Sequence, residues 1–420
     1  MTFRNVFILS TFLFAPAFAH EGPIPQGIPR LDHVFVIVME NHGFDQIINN
    51  PSAPFINQFA QKANLATQYF AVGHPSLINY LAIVGGSNFG VQYDNHPDWH
   101  NSECKPNLES GIPSTLFSTD PVCPIAGTGQ DTATPALDFT QMPPLLNTDT
   151  PAINVDGTLG FPQATTVSGK SIADQLTENG LSWKSYQESL PLEGANSVDY
   201  SDGFYTQGQD ASLFLAQLDP AAGELTRLYA VKHNPFMYFK SVQEGLSPDH
   251  SPKNVAGFET LYADLRAGAL PNFAFIAPNQ CNDQHGQANA EASCRPDESN
   301  DGTQSGLNPG LIYRGDVNLQ KIITAIHQSP VWQQGRTAII VTWDENDYSL
   351  APVTNQVPTI VDTNYGPQGR QSTRLYTHFS LLKTIEAGLG LPCLNHACDA
   401  TTAVMTDLFM ESENLVSTRN

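Results

Sequence analysis

Two stretches constrain this chain more than any others. Val34 to Val38 and Thr337 to Thr342 are runs of mostly aliphatic residues without a charge, and each leads into acid, Glu40 in the first case and Asp344-Glu345 in the second. A strand with one wet face alternates apolar and polar residues, so an uninterrupted apolar run implies a strand buried on both faces, as in the interior of a parallel sheet. Between and around these runs lie segments of helical periodicity, at Phe55 to Ala66, Ser171 to Asn179, Phe258 to Leu265, Val317 to Gln328 and Phe379 to Leu389. Further strands are predicted at Leu181 to Tyr186 and Phe273 to Ala277. This alternation predicts an α/β fold, a mostly parallel sheet covered on both faces.

Three strand ends carry polar chemistry: Glu40-Asn41 after the first strand, Asp283 and His285 after Phe273 to Ala277, and Asp344-Glu345 after Thr337 to Thr342. The C-terminal ends of parallel strands share one edge, so residues hundreds of positions apart can converge there. Each pair alone is equally a solvated turn. Together, Glu40, Asn41, Asp344 and Glu345 form an oxygen-rich set that would repel itself without a cation between its members. Such ligands suit a hard divalent ion such as Mg²⁺, Ca²⁺ or Mn²⁺, whereas His285 and His378 suit Zn²⁺ at a second site.

Ser76 lies just after Pro75 and ahead of the Gly85-Gly86 pair. Proline is tolerated at or before a helix's first turn, which places Ser76 at a helix N-terminus, where the dipole favours negative charge on its oxygen. It is a candidate nucleophile or an ordinary helix cap. Asn79, one turn on, can point its amide at an anionic oxygen. Asp283 and His285 sit in a loop flanked by Cys281 and Cys294, and His378 stands just ahead of a helix. These three are either surface-turn and structural residues, ligands of a second metal, or groups that bind an anion and protonate a leaving group. Two other motifs fail. Gly169-Lys170-Ser171 has Ala164 where a nucleotide-binding loop needs its first glycine, and Ser76 lacks the glycine two residues on that a nucleophile elbow uses. His74 is the candidate should the nucleophile be a histidine.

Residues 1–19 read as a signal peptide, with Arg4, the apolar run Val6 to Phe14, and a cleavage site at Ala17-Phe18-Ala19. A periplasmic or secreted location follows, and no later stretch approaches the ~20 apolar residues of a transmembrane helix. The six cysteines fit an oxidising compartment and fall into three local pairs, Cys104 with Cys123, Cys281 with Cys294, and Cys393 with Cys398, although other pairings are open. Residues 20–420 read as one domain, with an irregular Pro-, Gly- and Thr-rich insertion at about 104–169. A net charge of −22 argues against nucleic acid and anionic membranes as electrostatic partners. The same charge repels phosphate-bearing molecules at long range, so phosphate chemistry here needs a local cation.

The ordered motifs Glu40-Asn41-His42-Gly43-Phe44-Asp45, His74-Pro75-Ser76-Leu77-Ile78-Asn79-Tyr80, Pro278-Asn279-Gln280-Cys281-Asn282-Asp283-Gln284-His285, Thr342-Trp343-Asp344-Glu345-Asn346-Asp347 and Thr377-His378-Phe379-Ser380 resemble those of a bacterial phosphoesterase family. That family includes phospholipases C and metal-dependent acid phosphatases, within the alkaline phosphatase superfamily. The resemblance runs from about Leu31 to Phe409 and implies a three-layer α/β/α sandwich. It also implies two-step hydrolysis through a phosphoserine at Ser76, with a divalent metal at Glu40, Asn41, Asp344 and Glu345. Asn79 matches the position that steadies a phosphoryl oxygen. Asp283, His285 and His378 match active-site positions that are metal ligands in some relatives and phosphate contacts in others. Ile78 departs from the family's proline, and His42-Gly43 from its His-Ser or Arg-Ser. The substrate expected is a small phosphomonoester. A phospholipid diester, as for a phospholipase C, and a catalytically inactive binding protein on the same fold are the alternatives.

Overall fold

The computed structural model describes residues 21–89, 91, 94, 169–190, 228–287, 290–299, 302–346 and 355–410. The signal segment, the Cys104 and Cys123 pair and nearly all of the 104–169 insertion lie outside these residues. The strands are β1 (His33–Met39), β2 (Asn64–Ala66), β3 (Tyr69–Phe70), β4 (Trp183–Gln187), β5 (Val255–Gly257), β6 (Phe273–Ala277), β7 (Thr337–Trp343), β8 (Thr359–Thr363), β9 (Gln371–Ser372) and β10 (Tyr376–Thr377). Eight of them form one sheet in the order β5-β4-β6-β1-β7-β8-β2-β9. Only β8 pairs antiparallel to its neighbours; β5, β4, β6, β1 and β7 are parallel throughout.

Every residue of β6 and β7, and all of β1 after His33, is buried. Successive side chains point to opposite faces, so unbroken burial means that both faces are covered. The protein is therefore an α/β sandwich with a mostly parallel central sheet. The helices are α1 (Phe44–Ile47), α2 (Pro54–Lys62), α3 (Ser76–Gly85), α4 (Ile172–Glu178), α5 (Lys240–Glu244), α6 (Phe258–Ala267), α7 (Pro309–Gln328) and α8 (His378–Leu389). One main apolar cluster runs from Leu31 to Phe409.

Local chemistry sets most helix ends. Ser171 and Asp174 close a capping box on α4, and the Thr377 hydroxyl accepts from Ser380 N to start α8. Two predicted helices differ from those observed. The segment Phe55 to Ala66 is helical only to Lys62, because Asn64 to Ala66 pair with β8 and β9, and the Asn64 amide donates to the carbonyls of Pro367 and Leu408. Sheet pairing there overrides the helical pattern. The helix predicted from Val317 begins earlier, at Pro309, where the Asn308 side chain accepts from Gly310 N and Leu311 N and proline occupies the first helical position.

Register positions the polar strand ends. Met39 pairs with Trp343 and Ile37 with Ile276. One step past the pairing, Asp344 N donates to Met39 O at 2.9 Å and Glu40 N to Asp283 O at 2.8 Å. The three predicted strand ends thus meet at the C-terminal edge of β1, the middle of the parallel block.

Candidate active site

The site is built on β1, β6, β7 and the start of α3. Ser76 is the first residue of α3, and its hydroxyl lies 3.2 Å from Glu40 Oε2 and 3.3 Å from Glu345 Oε1. Asn41 has a left-handed backbone with φ of 52°, which asparagine tolerates better than most residues. Its N–H donates to Asp344 Oδ1 at 3.1 Å. Tyr80, one turn after Ser76, donates to Glu40 Oε1 through a short hydrogen bond. The anionic oxygen that the Asn79 amide meets within the chain is a carboxylate. The amide donates to Glu345 Oε2 and Gly73 O, while the Asn79 oxygen accepts from Val72 N and Gly73 N. In this arrangement Asn79 anchors Glu345 to the turn before α3.

Glu40, Ser76, Asn79, Asp283, Asp344 and Glu345 are all buried. Burial, and then the charges of Asp344 and Asp283, push the Glu40 carboxyl well above its ordinary range, against the opposing effects of Lys232 and Tyr80. Burial is also the largest cause for Asp283 and Asp344, reinforced by Asp344 in the first case and Glu345 in the second. Burial and Glu40 raise the Tyr80 phenol, which keeps it a hydrogen-bond donor. Among the buried atoms without a hydrogen-bond partner are Asn41 Oδ1 and Asp344 Oδ2, while Asp283 Oδ2 and His233 Nε2 have only ion-pair contacts, at 3.3 Å to His233 Nδ1 and 3.2 Å to Glu40 Oε1. Unpaired oxygens and raised carboxyl pKa values in one place are what a cation would relieve. Carboxylates, an amide oxygen and an imidazole are donors that fit a divalent metal.

Glu40, His233 and Asp283 offer ligand atoms within 4.8 Å of one another, the one such group among the described residues. The sequence reading missed His233. It lies in a short 3₁₀ turn, Val231–His233; the apolar run Leu228 to Val231 ahead of it was the available signal, though it forms no strand of the sheet. Burial, then Lys232 and His285, lowers its pKa well below the usual value, which favours the neutral ligating form. Its neighbour Lys232 pairs with Asp94 Oδ2 at 2.9 Å, and Asp94 Oδ1 accepts from Leu77 N at the start of α3. That buried pair was also absent from the sequence expectations, and Tyr80 stood there only as the end of a motif, without a role.

The remaining histidines divide by what their ring nitrogens touch. His378 is buried with Nε2 2.7 Å from Asp344 O and Nδ1 3.0 Å from Tyr69 OH. A carbonyl can only accept, so Nε2 carries the proton and Nδ1 accepts from the tyrosine. Burial pulls His378 down to about 4, and in this structure it braces the Asp344 backbone. His285 is half-buried, donates Nδ1–H to Gly286 O at 2.8 Å, and donates its backbone N–H to Asp283 Oδ1 at 2.7 Å. That orientation directs chemistry to Nε2, as for imidazoles whose other nitrogen is held by a carbonyl. His74 Nδ1 lies 2.9 Å from Glu345 Oε2. The 278–285 loop is held from behind by Glu188, which accepts from Asn279 N and the Asn282 amide.

A model of the Phosphoesterase family matches residues 48–295 and 307–392, a span that contains Ser76, Asn79, Asp283, His285, Asp344, Glu345 and His378. The chain belongs to the Phosphoesterase family. It is accordingly a hydrolase acting on phosphoric ester bonds. This phosphoesterase is 25% identical over 392 residues to a phosphatidylinositol-3-phosphatase of Mycobacterium tuberculosis, covering 90% of this chain and 86% of that protein. It is 23% identical over 366 residues to a phosphate-repressible acid phosphatase of Penicillium chrysogenum, covering 86% of this chain and 60% of that protein. An acid phosphatase of Aspergillus fumigatus is also 23% identical, and the chain spans 55% of its length. Among solved structures, it resembles a phosphonate monoester hydrolase of Agrobacterium radiobacter, with TM-score 0.42, 12% identity, and 91% of this chain and 78% of that one covered. An alkaline phosphatase superfamily protein from Vibrio parahaemolyticus gives TM-score 0.41, 13% identity, and coverage of 90% and 72%. Two of the expected disulfides, Cys281–Cys294 and Cys393–Cys398, are present, and no helix among the described residues is long and apolar enough to cross a membrane.

Proposed function

We propose that this phosphoesterase is an exported, metal-dependent phosphomonoesterase that works through a phosphoserine at Ser76. The observation that carries the reading is the position of Ser76 Oγ, on the first residue of a helix and 3.2 Å from Glu40 and 3.3 Å from Glu345. Glu40, Asn41, Asp344 and Glu345, with Asp283 and His233 beside them, are the residues to hold a divalent ion. When bound, that ion neutralises the carboxylates and lowers the pKa of the serine hydroxyl.

The chain's own groups account for the remaining steps. Ser76 surrenders its proton to Glu40 or Glu345 and its oxygen attacks phosphorus in line. The phosphorus–oxygen ester bond breaks as the serine–phosphorus bond forms. The departing alcohol takes a proton from His285. Water then attacks phosphorus, His285 accepts the water's proton, and the serine oxygen leaves with the proton returned from Glu40 or Glu345, releasing inorganic phosphate. His378 and Asn79 hold Asp344 and Glu345 in place through these steps.

Monoester preference is supported by the relatives, whose names describe phosphatases. Export is supported by the sequence of residues 1–19 and by the two disulfides. The main apolar cluster running from Leu31 to Phe409 and a family match over 48–295 and 307–392 support one catalytic domain. Purified protein should hydrolyse p-nitrophenyl phosphate faster than phosphatidylcholine, lose activity on chelation, and regain it with Mg²⁺, Ca²⁺, Mn²⁺ or Zn²⁺. Faster lipid turnover would instead assign a phospholipase C, and full activity in metal-free protein would overturn metal dependence. Ser76→Ala should lower turnover by on the order of 10⁴-fold or more, as loss of a nucleophile does elsewhere, and should remove an acid-stable phosphoenzyme formed by the parent. Retained turnover would reject the nucleophile.

A further inference from the structure

We infer that Tyr80 is a positioning residue for the cation site, setting the Glu40 carboxylate and the His233 ring from the same helix that carries Ser76. The inference rests on the metal-dependent reading above. Tyr80 follows Ser76 by four residues on α3, so the two side chains share one helix face. The phenol donates to Glu40 Oε1, while Glu40 Oε2 accepts from Ser76 Oγ at 3.2 Å. The two carboxylate oxygens are thereby assigned different partners, one facing the serine and the other the His233 side of the site. His233 Nε2 lies 3.2 Å from that same Oε1.

The ring has a second task. It stacks on the His233 imidazole with centroids 5.2 Å apart and planes within 6°, and meets Phe275 edge-on at 6.1 Å. His233 arrives on a short 3₁₀ turn that cannot orient a side chain as a long helix does. The flat face of Tyr80 limits the ring to one plane, with Nδ1 3.3 Å from Asp283 Oδ2. A tyrosine buried solely as core would need a hydrogen-bond partner but not this one. Here its hydroxyl and its face each meet a different candidate ligand.

The test is Tyr80→Phe, which keeps the ring, the stack and the Phe275 contact and removes only the hydroxyl. Mn²⁺ is titrated calorimetrically into chelated parent and variant, with thermal unfolding of the chelated proteins run alongside. Loss of groups that orient metal ligands elsewhere lowers metal affinity about 10- to 100-fold. A weakening of Mn²⁺ binding in that range, with p-nitrophenyl phosphate turnover rescued at high Mn²⁺, is the expected result. Phe275→Leu serves as the packing control, lowering the unfolding temperature without weakening Mn²⁺ binding. Unchanged Mn²⁺ affinity in Tyr80→Phe, or equal weakening in both variants, overturns the positioning role. A parent protein that binds no Mn²⁺ and needs no metal fails in a different way, by removing the functional reading itself.

Discussion

Asp283→Asn should stabilise the metal-free protein while weakening its response to metal. Glu40 and Asp283 present ligand atoms within 4.8 Å of each other. At an effective dielectric constant of about 20, two carboxylates at that distance repel by about 3.5 kcal/mol once pH has risen past their raised folded-state pKa values and both are ionised. Asparagine keeps the shape of the side chain and an oxygen for His285 N, now 2.7 Å from Asp283 Oδ1, and removes the charge. With an unfolding entropy of about 2.1 cal/mol/K per residue, relief of that repulsion raises the unfolding temperature of the 420-residue chain by about 4 °C. The effect depends on pH in a defined direction. Glu40, Asp283 and Asp344 all have raised folded-state pKa values, so the folded chelated protein holds protons that the unfolded chain releases. Its stability is greatest below the ordinary carboxyl range and declines as pH rises through the folded values. In Asp283→Asn that decline is shallower, and the advantage over the parent grows with pH. Mn²⁺ at about 100 times its dissociation constant should stabilise the parent by about 2.7 kcal/mol, and the variant by much less. The assay is scanning calorimetry from acid to mildly alkaline pH, with chelator or Mn²⁺. The reasoning is refuted if the chelated variant unfolds below the parent at every pH, or if Mn²⁺ stabilises both equally.

Two further substitutions test how the site is held. Gly315 lies in α7 against Gln284, where an added Cβ would come within 2.3 Å of Gln284 Cγ. Gln284 itself accepts from Trp343 Nε1 and donates to Ile312 O. Gly315→Ala should therefore lower turnover at least tenfold by displacing the loop that carries Asp283 and His285, despite a gain in helix propensity of about 1 kcal/mol; steady-state kinetics with unchanged turnover would refute the coupling. Asp316, one residue on and buried, accepts from Phe55 N and Ile56 N at the start of α2, at 3.1 and 2.7 Å. Asp316→Ala should cost about 2 kcal/mol of stability and leave kcat within about twofold, read by denaturant unfolding and p-nitrophenyl phosphate kinetics; an unchanged unfolding midpoint would refute it.

Much of the scaffold was legible before folding. The charge-free runs at Val34 to Val38, Phe273 to Ala277 and Thr337 to Thr342 are interior strands because only a doubly covered strand tolerates such a run, and they neighbour one another in the sheet. Ser76 starts its helix as Pro75 and the following glycines required. Glu40, Asn41, Asp344 and Glu345 could be read as an edge set because they follow their strands directly, and Asp283 because the loop after Phe273 to Ala277 carries it. The antiparallel β8 and the early start of α7 were not legible. The first depends on pairing between distant segments, and the second on a cap and a proline acting against a glycine-interrupted pattern.

Composition and local order determined which residues stand at strand ends and helix starts, since those positions follow from burial periodicity and steric rules that act over a few residues. They could not determine how far apart those ends lie. The pairing of Met39 with Trp343 decided that Glu40 and Asp344 are adjacent, and the seating of α3 decided that Ser76 and Tyr80 divide the two oxygens of Glu40. His233, a histidine in a short turn after the brief apolar run Leu228 to Val231, joined the site because the chain packs it against Tyr80 and between two carboxylates. Sequence specifies donors through local propensity, but distances between donors arise from nonlocal packing, and it is distance that turns a group of acids into a cation site.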